Sequence, residues 1–307
     1  MILLSFLVWI FGLVATAYLL LALAIVLLQR KLIYRPDVRR TTPEASGFAG
    51  VDEWTIDTPD GASLVAWYAH PEPGRPTVLY FHGNAGWIEL RNDRLAELKS
   101  RGFGVLMPCY RGYGGSTGRP SESANIADAK IVFGCLLARG CRPSNIIIFG
   151  ESLGTGIAVQ LAASRPCAGL VLDSPYTSMI DIARLRYPWL PVSWLLQDRY
   201  ETLTHLPGVR APTLVIHGGA DKLVPASMGR AVHRAAAEPK ALAVFAHAGH
   251  LNHLAAGSFS LVSAWIDTLP ATPRASEPRP LAKAAPALAR TATRPEAVPQ
   301  AYVVSKV

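Results

Sequence analysis

The feature that most constrains this chain is a regular alternation of apolar strands and helices across its middle. Strands are predicted where short runs are apolar throughout, at 77–81, 104–107, 145–149, 170–172, 213–216 and 243–245. Helices are predicted at 87–100, 122–139, 152–164, 227–237 and 259–267. Strands without a polar face are typical of a mostly parallel sheet that helices cover on both sides. The sequence therefore predicts an α/β fold, with a hairpin ahead of it at 53–57 and 63–69.

The first 28 residues contain no charged side chain. At about 1.5 Å per residue, a helix of this length exceeds the ~30 Å hydrocarbon core of a bilayer. It lacks the basic start of a signal peptide, so we assign 1–29 to a transmembrane anchor and 30–50 to a basic juxtamembrane linker. Five basic residues and one acidic residue lie at 30–40. The positive-inside rule then predicts a single-pass membrane protein whose bulk is cytoplasmic.

Net charge is distributed unevenly along the chain. Its formal value is +8, and the excess lies in two flanks, 30–40 and 271–307, while the residues between them are neutral overall. A nucleic-acid-binding domain carries its basic stripe on the folded part, so this distribution argues against nucleic acid as a partner. Residues 271–307 are rich in Ala, Pro, Arg and Thr and are predicted to be a disordered basic tail, which leaves 51–270 as the folded domain.

One serine stands in a position that suits a nucleophile. Gly150, Ser152 and Gly154 form a G-x-S-x-G pattern between a predicted strand and a predicted helix. In that context the glycines leave room for a sharp turn that exposes the serine hydroxyl at a helix N-terminus. The alternative is an ordinary serine N-cap. A serine hydroxyl is a weak nucleophile, so the chemistry also needs a histidine base and an acid that orients it.

Candidates for the base and the acid lie in loops that follow predicted strands. Asp221 follows one strand and His250 follows the next. Open α/β sheets build their sites at these carboxyl ends, so the two side chains are expected to meet there. Asp173 is the alternative acid, and His247 and His253 are the alternative histidines.

The HGNAG loop follows the first strand of the alternation, and its glycines let backbone amides point inward. The carbonyl that a serine attacks becomes an oxyanion, which preorganised N–H groups must meet. We expect these donors to be the backbone amides of Leu153 and Asn84, with Ala85 as the second choice for the latter. His82 and Gly83 support the loop. Taken alone, the same residues also fit a plain tight turn.

Neither a metal nor a cofactor is expected. The four cysteines contain no CxxC pair and show no zinc-ligand spacing with histidine. They suit small core residues, although a disulfide is compatible with the sequence. The Gly-rich loop at 111–115 fits neither a phosphate-binding loop nor a dinucleotide-binding motif.

Taken together, these motifs resemble the α/β-hydrolase superfamily, and especially its membrane-anchored branch of serine hydrolases and depalmitoylase-like proteins. The matching segments are YFHGNAG (80–86), YRGYGGSTGRPSE (110–122), GESLG (150–154), LDSPYTS (172–178), HGGADKLVP (217–225) and HAGHLNH (247–253). The resemblance implies an α/β-hydrolase fold, a triad of Ser152, Asp221 and His250, and hydrolysis of esters or thioesters. Relatives usually place Asn-Asp directly after the catalytic histidine, whereas here Leu251 intervenes and no Asp follows.

A segment at about 176–206 interrupts the alternation and contains a cluster of Trp, Tyr and Leu. We predict a short cap over the carboxyl edge of the sheet, which either holds an acyl chain or packs on the core. An acylated or lipid-like ester is therefore the expected substrate, with the lipid bilayer as the other partner. Two alternatives stay open. A serine aminopeptidase-like hydrolase would need an acidic cluster for the substrate amine, and a non-catalytic membrane scaffold would show a broken triad.

Overall fold

The computed structural model describes residues 2–270 and 304–306, which form a mostly parallel sheet with helices packed against it. The α-helices are α1 (Ile2–Ile33), α2 (Asn92–Ser100), α3 (Glu122–Ala138), α4 (Leu153–Ser164), α5 (Met179–Arg186), α6 (Val192–Leu195), α7 (Thr202–His205), α8 (Ala226–Ala235) and α9 (Ser258–Thr268). The strands are β1 (Arg35–Pro36), β2 (Val51–Asp57), β3 (Ser63–Ala69), β4 (Thr77–Phe81), β5 (Ala85–Gly86), β6 (Gly104–Pro108), β7 (Ile146–Glu151), β8 (Gly169–Asp173), β9 (Thr213–Gly218), β10 (Lys240–Phe245) and β11 (Val304–Lys306).

The main sheet has the order β10-β9-β8-β7-β4-β6-β3-β2-β11. Neighbouring strands from β10 to β6 run parallel. The pairs β6–β3, β3–β2 and β2–β11 are antiparallel. The predicted α/β fold with a mostly parallel sheet is therefore confirmed. Strands β1 and β5 form a separate two-stranded parallel pair.

The bounds of the predicted elements hold to within a few residues. Strands β3 and β4 begin and end where the sequence predicts, and β2 and β3 form the predicted hairpin, with Gly61 at φ +83° in its turn. The helix predicted over 87–100 is divided into a 3-10 turn at Ile88–Arg91 and α2. The break lies at Arg91, whose backbone at φ −115° and ψ 15° is outside the helical region.

The core lies on both faces of the central strands. Every residue of β4, β6, β7, β8 and β9 is buried, as expected for strands between two helical layers. Cys109 and Cys135 are buried in this core, and Cys141 and Cys167 are partly exposed. All four cysteines are free thiols.

Helix α1 is 32 residues long and reaches a mean hydropathy of 2.7, so it is long and apolar enough to cross a membrane. Most of its side chains are exposed. Its second half contacts the segment between β8 and β9, which contains α5, α6 and α7 and corresponds to the predicted cap. Ala22 and Ile25 of α1 pack there against a small apolar cluster of Ile180, Leu190 and Val192.

The predicted tail at 271–307 lies outside the described residues except for β11. This strand pairs with β2, with Val304 opposite Ile56 and Lys306 opposite Trp54.

Candidate active site

Ser152 occupies a strained turn between β7 and α4. Its backbone has φ +51° and ψ −113°, a conformation that non-glycine residues rarely adopt. A Cβ on Gly154 would collide with the backbone of Phe81, and one on Gly150 would collide with the backbone of Gly154. The Ser152 N–H donates to the carbonyl of Asp173 over 2.8 Å. The turn is therefore fixed on both sides, and it presents the hydroxyl at the start of α4.

The structure brings Asp221 and His250 to this hydroxyl. Nδ1 of His250 lies 2.6 Å from Oδ2 of Asp221, and Nε2 lies 3.0 Å from Oγ of Ser152. The other carboxylate oxygen of Asp221 accepts from the amides of Leu223 at 2.8 Å and Val224 at 2.9 Å. Because a carboxylate only accepts, Nδ1 carries the proton and Nε2 is free to accept from the serine.

Asp221 is held in its ionised form. Burial alone would raise the pKa of Asp221, but hydrogen bonds from His217, His250 and the Val224 amide outweigh burial and hold the pKa well below its usual value. His217 is fully buried, and its Nε2 lies 2.9 Å from the Val224 carbonyl and 3.5 Å from Asp221. His217 lies four residues before Asp221 in the HGGADKLVP segment, and its contact with Asp221 was not predicted.

The alternative residues form a second pair. Nε2 of His253 lies 2.9 Å from Oδ1 of Asp173, and both side chains are 2% exposed. Burial alone would lower the pKa of His253, but the adjacent Asp173 carboxylate outweighs burial, so the pKa is raised. The His253 ring stacks on Phe245, whereas His247 is exposed in the same loop.

The two expected oxyanion donors, Leu153 and Asn84, line one cleft together with Ser152. Within the described part of the chain, neither backbone amide donates to a protein acceptor. The second-choice donor, Ala85, lies opposite Arg35 in the pairing of β5 with β1.

His82 and Gly83 are the first two residues of the HGNAG loop, and both are buried. Burial and the nearby Arg91 lower the pKa of His82 to about 4, so the ring is neutral. Its Nδ1 lies 2.7 Å from the Gly83 carbonyl, and its ring packs 4.1 Å from the ring of Tyr110. The Gly83 amide donates to Glu151 over 3.2 Å. Both residues therefore hold the loop against the core.

A buried charge cluster beside the serine was not predicted. Glu151 is fully buried and lies 2.7 Å from Arg91 and 3.0 Å from Arg94, and Tyr80 donates to it over 2.6 Å. Burial alone would raise the pKa of Glu151, but Arg91 and Arg94 lower it to about 2. Arg94 also donates to the carbonyl of Leu251, over 3.1 Å, in the loop that contains His250 and His253. The sequence does contain a signal for this cluster, namely a glutamate inside an otherwise apolar strand, because a buried charge needs partners of opposite charge.

The cleft beside Ser152 has a volume of about 270 Å³ and is mostly apolar. The end of α1 forms one wall and the cap forms the other. The lining residues include Ile25, Leu32 and Ile33 of α1, and Met179, Ile182, Leu190 and Leu195 of the cap. Among the described residues, no group of three or more His, Cys, Asp or Glu is placed to hold a metal ion.

Known proteins resemble this chain in both sequence and fold. A family model described as the alpha/beta hydrolase fold matches residues 76–206. An uncharacterised protein of Mycobacterium tuberculosis is 42% identical over 225 residues, which cover 72% of this chain and 80% of that protein. Lysophosphatidylserine lipase ABHD12 of Danio rerio is 27% identical over 248 residues, which cover 68% of this chain and 64% of that protein.

Two further matches concern the fold and the family name. The solved esterase Pf2001 of Pyrococcus furiosus has a TM-score of 0.61 at 20% identity and covers 77% of this chain and 98% of its own, which shows the shared fold. The alpha/beta hydrolase domain-containing protein WAV2 of Arabidopsis thaliana is 30% identical over 229 residues, which cover 66% of this chain and 73% of that protein. With this sequence similarity and the sheet described above, the chain belongs to the α/β-hydrolase superfamily.

Proposed function

We propose that this chain is a membrane-anchored serine hydrolase that cleaves carboxylic ester or thioester bonds through an acyl-enzyme on Ser152. The observation that carries the proposal is the continuous line of contacts from Asp221 through His250 to Ser152, at 2.6 Å and 3.0 Å. The family resemblance agrees with it, since relatives and structural neighbours include a named lipase and a named esterase.

The mechanism follows from these contacts. Nε2 of His250 takes the proton of Ser152 as Oγ attacks the substrate carbonyl, and Asp221 stabilises the imidazolium. The amides of Leu153 and Asn84 donate to the oxyanion. The tetrahedral species collapses, the leaving alcohol or thiol takes the proton from His250, and the acyl group stays on Ser152. Water, deprotonated by His250, then attacks the acyl-enzyme, releasing the acid and regenerating the serine hydroxyl.

The apolar cleft supports an acyl chain as the part of the substrate that is recognised. It begins at Ser152 and runs between α1 and the cap, so a chain attached to the reacting carbonyl would lie along apolar side chains. Since α1 also suits a bilayer, a lipid-like ester would reach this cleft from the membrane. In this proposal residues 1–29 are the anchor, 30–50 the linker and 51–270 the hydrolase domain, which lies on the cytoplasmic side.

The first experiment is labelling of the full-length protein with a fluorophosphonate, which reacts with an activated serine whatever the natural substrate. We expect labelling of the wild type and none of Ser152→Ala or His250→Ala. His247→Ala is the matched control, because His247 is exposed in the same loop and should leave labelling unchanged. Absence of labelling in folded wild type would instead favour a non-catalytic scaffold.

The second experiment tests the acyl site with p-nitrophenyl esters of increasing chain length. Ile25 lines the cleft, so Ile25→Trp should shift the preference to shorter chains, by about tenfold in relative kcat/KM for the longest ester. Leu27→Trp is the control, because Leu27 is 73% exposed and lies outside the cleft lining. Equal chain-length profiles in both variants would contradict the acyl site.

A further inference from the structure

The C-terminal end of α1 and the residues that follow it contact the loop that contains Asn84. The Asn84 side chain donates to the carbonyl of Ile33 over 3.0 Å, and the Arg35 amide donates to the carbonyl of Asn84 over 3.0 Å. Beyond this point β1 pairs in parallel with β5, which follows Asn84 directly. We call Ile33–Pro36 the anchor junction. It binds Asn84 through both the side chain and the backbone carbonyl.

Tyr113 also binds the Asn84 carbonyl. It is fully buried, and its hydroxyl donates to the Asn84 carbonyl over 2.8 Å. The same hydroxyl lies 3.1 Å from the amide of Arg35 and accepts from it. The carbonyl of Asn84 therefore receives two donors, one from the anchor junction and one from the hydrolase domain.

The direction of the Asn84 N–H follows from the position of the carbonyl in the same peptide group. The carbonyl of the Gly83–Asn84 peptide lies 2.7 Å from Nδ1 of His82, and in a trans peptide the N–H points the opposite way. The anchor junction and Tyr113 hold the side chain and the carbonyl of Asn84, the residue to which this N–H belongs. Among the described residues this N–H group has no protein acceptor, and Asn84 lines the cleft together with Ser152.

The anchor junction is itself held by the cap. Arg30 forms an ion pair with Asp198 at 3.1 Å, and the Tyr34 hydroxyl donates to the same carboxylate at 3.0 Å. Tyr34 also lies 2.9 Å from the hydroxyl of Tyr200, which accepts from Asn125 of α3 at 2.9 Å. Tyr34, Asp198, Tyr200 and Asn125 are all buried. This network ties the end of α1 to the folded domain.

We propose that the anchor junction positions the Asn84 amide for the oxyanion, so that the rate of hydrolysis depends on how the membrane helix is seated on the domain. The proposal rests on the proposed function, because it assigns a task to the end of α1 in the same reaction. In that reaction the amide matters most in the transition state, where loss of one oxyanion donor lowers kcat by roughly 10²–10³-fold. If the donor is present but poorly directed, kcat should fall by only part of that factor.

The test uses full-length protein in detergent, with a short water-soluble ester and active sites counted by fluorophosphonate titration. Asn84→Ala removes the bond to Ile33 but keeps the backbone amide, and Tyr113→Phe removes one donor to the Asn84 carbonyl. Each should lower kcat per active site by about tenfold and leave KM within about twofold, because the effect is confined to the transition state. Affinity for a trifluoromethyl ketone, which forms a tetrahedral adduct on an activated serine, should fall by the same factor as kcat.

The control is Tyr18→Phe. The Tyr18 hydroxyl also joins α1 to the cap, by donating to the Trp189 carbonyl over 3.2 Å. At about 1.5 Å per residue, Tyr18 lies about 22 Å along the helix from Ile33, so kcat should be unchanged. If Asn84→Ala and Tyr113→Phe lower the unfolding temperature but leave kcat per active site and inhibitor affinity intact, the junction is merely structural and the inference is wrong. If wild type shows no labelling that depends on Ser152, the proposed function fails, and the inference fails with it.

Discussion

Two histidine–aspartate pairs lie at the carboxyl ends of the adjacent strands β8 and β9, and they differ chiefly in access. Asp173 ends β8, whereas Asp221 lies just beyond β9, and their partners His253 and His250 are three residues apart in one loop. The His253–Asp173 pair is 2% exposed on both sides. In the other pair, Asp221 is buried but the His250 side chain is 17% exposed and reaches Ser152.

Residue type alone does not distinguish the roles of the two histidine–aspartate pairs. Both pairs place an imidazole nitrogen within 3 Å of a carboxylate, yet only one imidazole has its second nitrogen against a hydroxyl. Asp173 meets Ser152 through its backbone carbonyl, which accepts the Ser152 amide. The buried pair therefore joins the end of β8 to the histidine loop, while the accessible pair is the one that contacts the serine hydroxyl.

The largest difference between the pairs is expected from removing each histidine. His250→Ala, like Ser152→Ala, should lower kcat for ester hydrolysis by about 10⁴-fold or more, because both act as one unit. His253→Ala should leave kcat per folded active site within about tenfold of wild type. Steady-state kinetics with titrated sites measures both. A larger loss in His253→Ala than in His250→Ala would reverse the assignment.

Substitution of the two aspartates should distinguish the pairs in the same way as substitution of the histidines. Asp221→Asn replaces a carboxylate that fixes the His250 tautomer, so kcat should fall by about 10⁴-fold while the protein stays folded. Asp173→Asn leaves His253 without its buried counter-charge and should cost about 3–5 kcal/mol of unfolding free energy. Its backbone carbonyl still accepts from Ser152, so activity of the folded fraction should persist. Denaturation in detergent, run beside the kinetics, distinguishes the two outcomes.

Much of this arrangement is predictable because it depends on local sequence. Apolar runs without a polar face predict buried parallel strands, and β3 and β4 were placed to the residue. The glycines around Ser152 predict a sharp turn because a side chain there would collide with backbone. The preference for Asp221 and His250 as partners of Ser152 remains a prediction that activity measurements must decide.

Other parts are not predictable because they depend on residues far apart in the chain. Glu151 contacts arginines 57 and 60 residues away. Arg30 meets Asp198 168 residues later, where the end of α1 joins the cap. Periodicity identifies α1 as a candidate membrane helix but carries no information about which loop its last turn contacts. Such pairings emerge only when the fold brings the two segments together.

A more moderate effect is expected from substituting the two arginines that pair with Glu151. Arg91 and Arg94 both pair with Glu151, but only Arg94 also donates to Leu251. Arg91→Met and Arg94→Met should destabilise the protein to a similar degree, by a few kcal/mol. Arg94→Met should in addition lower kcat by about tenfold, since the loop that positions His250 loses a contact. Equal kcat values in the two variants would show that the Leu251 contact has no part in positioning.

The smallest expected effect is a pH dependence that only the buried pair should show. The pKa of His253 is raised in the folded state, because Asp173 outweighs the burial of the ring and the charge of Arg94. A group whose folded pKa exceeds its unfolded value of about 6.5 contributes stability that is complete below that pH and is lost as pH rises through the folded pKa. His253→Gln should therefore lower the unfolding temperature more at pH 5.5 than at pH 9.

His247→Gln gives the matched comparison, because His247 is exposed in the same loop and should show no such pH dependence. The carboxylates do not interfere in this window. The pKa values of Asp221 and Glu151 are lowered, so their contributions are present above their unfolded values near 4 and are lost only at more acidic pH. A pH-independent loss in His253→Gln would mean that His253 binds Asp173 without its charge, and the two pairs would then differ in access alone.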